Sequence, residues 1–151
     1  MRTFATSSLL LCAVVLLLGC GDGRPKRVPF AGQVLIDNQP LTSGTIMVIP
    51  ENERPASGQI GSDGRFTLGT YADADGVVLG THRVEIVARE NLNNAIKHLT
   101  PRKYQDAATS GLTITVEKAT SDYKLELSWQ GEQPFIEATS AAGDVEIRDP
   151  S

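Results

Sequence analysis

From residue 28 onward, apolar and polar residues alternate with a period of two, the spacing of a strand with one buried face. Val28, Phe30, Gly32, Val34 and Ile36 share one face of a first predicted strand. Gly44–Ile49 (GTIMVI) is a second, apolar on both faces and so predicted to lie centrally in its sheet. Residues 57–61 make a short third, and residues 65–70 a fourth with Phe66 and Leu68 inward. In residues 81–89, Val84, Ile86 and Ala88 alternate with Arg83, Glu85 and Arg89. Leu112–Val116 and residues 123–129 repeat the pattern, the last ending on Trp129.

Turn chemistry separates these runs. Asp37-Asn38-Gln39-Pro40 and Ser62-Asp63-Gly64 are sequences of the hairpin kind. Helix is scarce: only residues 91–99 could form a turn or two, with Pro101 as the stop. Residues 90–111 otherwise make a long connection, the kind that is functional or mobile in a compact domain. The pattern predicts an all-β chain, a seven-stranded antiparallel β-sandwich over residues 28–129, each sheet burying one face against the other.

The segment before the sandwich has a different character. Met1-Arg2 is followed by an apolar run from Leu9 to Leu18. That run falls short of the roughly 20 residues of a membrane-spanning helix but fits a secretory signal core of roughly 7–15. It ends in Leu17-Leu18-Gly19-Cys20, which resembles the bacterial lipoprotein signal, with Leu18 larger than the usual small residue. The resemblance implies cleavage before Cys20, a diacylglyceryl group on its thiol and a further acyl chain such as palmitate on its new amino group. Cys20 is then the lipidation site, and membrane lipid the first partner. The chain is expected on the exported face of a cell membrane or outer membrane. Two or more acyl chains attach a protein stably where one does so only marginally. Cys12 leaves with the leader (residues 1–19), so the mature domain is expected to hold together without a disulfide. Residues 20–27 read as a tether whose Arg24, Lys26 and Arg27 lie close to the lipid.

A second resemblance covers residues 28–129. Gly32-Gln33-Val34-Leu35-Ile36-Asp37-Asn38-Gln39-Pro40-Leu41 resembles the opening of carboxypeptidase regulatory-like, transthyretin-type β-sandwich domains. Gly61-Ser62-Asp63-Gly64-Arg65-Phe66 and Gly80-Thr81-His82-Arg83-Val84-Glu85-Ile86 resemble its later motifs. Asn38 stands where that family usually has Gly, a place a left-handed Asn can fill. The resemblance implies a prealbumin-like or immunoglobulin-like scaffold, and such scaffolds host many functions.

Charge and chemistry narrow the remaining possibilities. The formal charge is −4, a poor match to nucleic acid. Beyond Gln130 five acids face one arginine, giving an acidic, partly disordered tail (130–151) in which Asp144–Arg148 reads as a strand able to cover a sheet edge. His82-Arg83-Val84-Glu85 has a zinc-like spacing, but residues three apart on a strand point to opposite faces. Asp73-Ala74-Asp75-Gly76 could begin a calcium loop, though it lacks further ligands. No catalytic residue, metal site or cofactor is expected. Tyr71 and Tyr104 fall outside the strands and are the candidate aromatic anchors for a partner, an envelope protein or glycan. The expectation is a membrane-anchored, non-catalytic binding or structural module of the bacterial envelope. A transthyretin-like small-molecule-binding or hydrolytic protein and a calcium-dependent adhesive domain stand as alternatives.

Overall fold

The computed structural model describes residues 23–138. The leader, Cys20 and the predicted Asp144–Arg148 strand lie outside the described residues. In chain order the strands are β1 (Arg27–Val28), β2 (Phe30–Ile36), β3 (Gln39–Pro40), β4 (Gly44–Ile49), β5 (Ala56–Ile60), β6 (Arg65–Thr67), β7 (Val77–Val78), β8 (Gly80–Val87), β9 (Arg89–Leu92), β10 (Ala95–His98), β11 (Leu112–Val116), β12 (Thr120–Leu127) and β13 (Phe135–Ala138). Each of the seven predicted segments overlaps one of the strands β2, β4, β5, β6, β8, β11 and β12. Six further short strands replace the expected count of seven with thirteen among the described residues.

The architecture is all-β and sandwich-like. One sheet has the order β11-β8-β4-β5, antiparallel throughout, with β4 in an interior place as its two apolar faces predict. The other is built on β2, with β12 along one edge. The second edge of β2 is divided: β6 pairs with Ala31–Gln33 and β3 with Leu35–Ile36. Phe30, Val34, Phe66, Leu125 and Leu127 from this sheet meet Ile46, Val48, Val84, Ile86 and Ile114 from the other in one buried cluster. Burying side chains of these sizes contributes about 1.5–3 kcal/mol each. With no disulfide among them, they are the main source of stability.

Two expectations are corrected. The sandwich is not wholly antiparallel, because β12 runs parallel to β2 from Thr120↔Phe30 to Leu127↔Ile36. After β11 the chain crosses to the opposite sheet within Glu117, Lys118 and Ala119, and re-enters at the end where β2 begins. Residues 91–99 are not a helical turn. They carry most of a β-hairpin, β9 against β10, turning at Asn93-Asn94. Three asparagines there favour turns over helix. The one helical turn among the described residues follows instead, a 3-10 segment at Arg102–Gln105 for which Pro101 is the N-cap. A proline that ends one element can begin the next, because its fixed φ suits a helix start.

Turns fix the registers. Asp37 and Asn38 both have positive φ (46° and 64°), as a two-residue turn between right-twisted strands requires. The Asp37 carboxylate accepts hydrogen bonds from Ser128 Oγ (2.8 Å) and Trp129 N (3.3 Å), tying this turn to the end of β12. At the sandwich edge, Ser57 and Gly69 exchange two backbone hydrogen bonds of 2.9 Å and so join the two sheets along the β5–β6 seam.

Gly32 sets the closeness of the parallel pair. A methyl group there would run into the Tyr123 carbonyl oxygen and stand 3.0 Å from the Phe66 ring. Gly32→Ala is therefore expected to destabilise the protein by about 1–3 kcal/mol, the range for overpacking a core. A urea midpoint that stays at the wild-type value would show that β2 and β12 are not packed this closely.

Candidate functional site

The loop from Gly69 to Gly76 is held by the side chain of one acid. Asp75 accepts hydrogen bonds from Thr70 N (2.6 Å) and Tyr71 N (3.3 Å). Thr70 Oγ1 donates to the Gly76 carbonyl at 2.7 Å, and Gly76 N returns to the Leu68 carbonyl. The loop leads into β7, which pairs antiparallel with β1. Of the residues expected to form a tether, Arg27 is thus part of the folded unit.

Arg27, on β1, places its Nε 3.1 Å from Asp75 Oδ2. Its guanidinium carbon lies 4.6 Å from the centre of the Tyr71 ring. Arg24 approaches the same ring at 4.6 Å and Arg54, from the β4–β5 loop, at 5.5 Å. Guanidinium groups over an aromatic face are attracted by the ring quadrupole, each by about 0.5–1 kcal/mol at exposed sites. Tyr71 is half-buried beneath them, so it organises three arginines rather than offering a bare ring. On its other flank the loop borders an open groove of about 690 Å³, walled by Gly58, Gln59, Arg65, Thr67, Tyr71 and Asp73.

Asp75 also bears on the calcium reading of this loop. Both of its oxygens are already engaged by backbone N–H groups and Arg27, and its neighbour Asp73 is exposed. No cluster of three or more metal-ligating side chains occurs among the described residues. The carboxylate closes a loop. Burial pushes its pKa up, but the N–H groups of Thr70 and Tyr71, with the charge of Arg27, outweigh that and hold it below the ordinary value.

Tyr104 does not share this surface. It lies on the 3-10 turn, 5% exposed, and is therefore corrected from exposed anchor to core residue. Its hydroxyl donates to the Ser128 carbonyl and accepts from Ser128 N, both at 3.2 Å. His82 and Glu85 do point to opposite sides of β8. His82 is buried with Nε2 2.9 Å from the Val78 carbonyl, and Glu85 accepts from Ala107 N on the other face.

A cluster that the sequence did not reveal sits at the opposite end of the sandwich. His98 is 3% exposed. Gln105 Nε2 donates to its Nδ1 at 2.9 Å, which leaves the proton on Nε2 to meet Glu137 Oε2 at 3.1 Å. Phe135 stacks on the imidazole at 4.4 Å, and Arg102 pairs with Glu137 at 3.1 Å while lying over the Phe135 ring. The His98 hydrogen bond and the Arg102 charge hold the Glu137 carboxyl below its usual pKa. Phe135 and Glu137 belong to β13, which pairs with β10. The first part of the acidic tail is thus a clasped strand. The clasp joins residues 98, 102, 105, 135 and 137, which are scattered in sequence, so no local motif announces it.

No protein-family model, curated protein or solved structure matches this chain. The arginine–tyrosine end and the groove beside it are accordingly weighed on their own chemistry.

Asp75 yields a pH prediction. Its depressed pKa stabilises the fold fully above the unfolded value of about 3.9 and is lost as pH falls through that value toward the folded one. Wild-type stability should drop between about pH 5 and pH 3 more steeply than that of Asp75→Asn, and the variant should be the weaker at neutral pH. Parallel urea midpoints for the two proteins across that range would refute the assignment.

Proposed function

We propose that the chain is a lipid-anchored, non-catalytic module of the bacterial envelope, a transthyretin-type β-sandwich held to its membrane through acylated Cys20. The observation that carries this reading is the leader: an apolar run too short to span, ending at Gly19-Cys20 directly before the folded unit. Two four-stranded sheets around a shared aliphatic core support the finer sandwich assignment. The histidines support the non-catalytic part. Both ring nitrogens of His98 are occupied by Gln105 and Glu137, and His82 has one nitrogen at the Val78 carbonyl and the other buried. Neither offers a nitrogen to a substrate, as a general base must.

The test is acylation itself. In cells fed an alkyne-bearing palmitate analogue, the wild-type chain should take up label and partition into detergent. Cys20→Ser should do neither. A wild-type chain that keeps its leader, or carries no acyl mass, would sink the reading.

The groove beside Tyr71 favours small-molecule binding as a second reading, since its volume lies within the usual range of ligand pockets, about 300–1,000 Å³. Under that reading a small-metabolite panel contains a compound that raises Tm, and Gln59→Trp, which fills the groove, abolishes the rise. A panel without such a compound would leave the groove as surface relief.

A further inference from the structure

We infer that the arginine–tyrosine end is the membrane-contacting surface of the domain, seated directly on lipid phosphates rather than held away on a flexible tether. The inference rests on the anchoring of Cys20 proposed above. Its structural basis is independent of that reading. The chain is built into the domain from Arg24 onward, by the contacts of Arg24 and Arg27 with Tyr71, the Arg27–Asp75 pair and the β1–β7 ladder. Four residues from Cys20 to Arg24 span at most about 14 Å at full extension, less than the thickness of a small domain. An acyl chain on Cys20 therefore brings this end of the domain, and no other, to headgroup level.

The chemistry found there suits that position. Arg24 and Arg54 are exposed at the guanidinium cluster, Lys26 is exposed beside it, and Tyr71 lies beneath. Guanidinium groups form paired, charge-assisted hydrogen bonds with phosphate oxygens. Arginine and tyrosine also suit the interface, each having an apolar body and a polar tip. Glu51, Glu53 and Asp73 lie in the neighbouring loops, so the surface is not simply cationic. Its contact with the bilayer is made by discrete arginine–phosphate bonds, not by net charge.

The same geometry fixes what faces away. The Asp37 turn and Trp129 lie at the far end of β2 from Phe30, and seven strand residues put about 20 Å between them. The β13 clasp, with Phe135 lining a hollow beside Trp129, and Ile136 (63% exposed) lie in this half. They are presented outward.

The mature chain has no thiol other than Cys20, so one introduced cysteine can carry a fluorophore uniquely. Asn52→Cys places it in the Arg54 loop and Glu132→Cys at the far end. Both full-length, processed chains are reconstituted in phosphatidylethanolamine–phosphatidylglycerol vesicles containing a headgroup-nitroxide lipid. The label at 52 should be quenched several-fold more than the label at 132, and Arg24→Gln with Arg54→Gln should lower the quenching at 52 without bringing it down to the level at 132, since the short link to Cys20 remains. Equal quenching at both positions, or no effect of the paired arginine variant, overturns the inference. If inorganic phosphate raises the Tm of the wild type but not of the paired arginine variant, while the label at 52 is quenched no more than the label at 132, the arginines form a site for free anions and the membrane contact is overturned. A chain that does not float with the vesicles and has no acyl mass instead marks failure of the anchoring reading, and the seating falls with it.

Discussion

The fold depends on one strand being bonded along both of its edges. β2 gives one edge entirely to β12 and splits the other between β6 and β3. That arrangement brings the first long strand, the last long strand and both short hairpin returns into one sheet. It works only because Gly32 carries no side chain where Tyr123 and Phe66 close in. The facing sheet is simpler, a regular antiparallel ladder, and the Ser57–Gly69 exchange joins the two along one side. Stability in such a molecule is distributed over aliphatic contacts, with no covalent cross-link within the domain to concentrate it.

Much of this was legible in the chain. Period-two alternation located most of the principal strands, because one face of each lies in a common core and the other in water, while β4 showed instead as a short run apolar on both faces. Alternation is silent about neighbours, however, so the parallel β2–β12 pair could not be read from it. β9 escaped for another reason: Arg89, Glu90, Asn91 and Leu92 are all exposed, and a strand without a buried face has no alternation to detect. β13 was hidden by its acidic surroundings. Tyr71 and Tyr104 looked equivalent as aromatic residues between strands, yet one organises arginines at the surface and the other closes the core. The cue that separates them is Pro101, which suits the start of the helical turn that points Tyr104 inward.

The two ends of the sandwich are organised by the same pair of devices, a carboxylate that gathers donors and an aromatic ring covered by arginine, three guanidinium groups at Tyr71 and one at Phe135. At one end these are Asp75 and Tyr71; at the other, Glu137 and Phe135. Their settings differ. Asp75 closes a loop within the domain, whereas Glu137 fastens a strand at the edge of a small three-stranded sheet.

The parallel alignment of β2 and β12 has a mechanical meaning. The chain enters β2 at one end of the sandwich and leaves β12 at the other. Tension between a fixed amino-terminal side and a load on the carboxyl-terminal side therefore slides the two strands past one another. Hydrogen bonds across such a pair share the load together, instead of opening one by one as in a hairpin pulled from its open end. The small outer elements, β1 with β7 and β13 with β10, can peel away first while the central pair holds. A domain built this way loads its central pair in shear when it is pulled along its length.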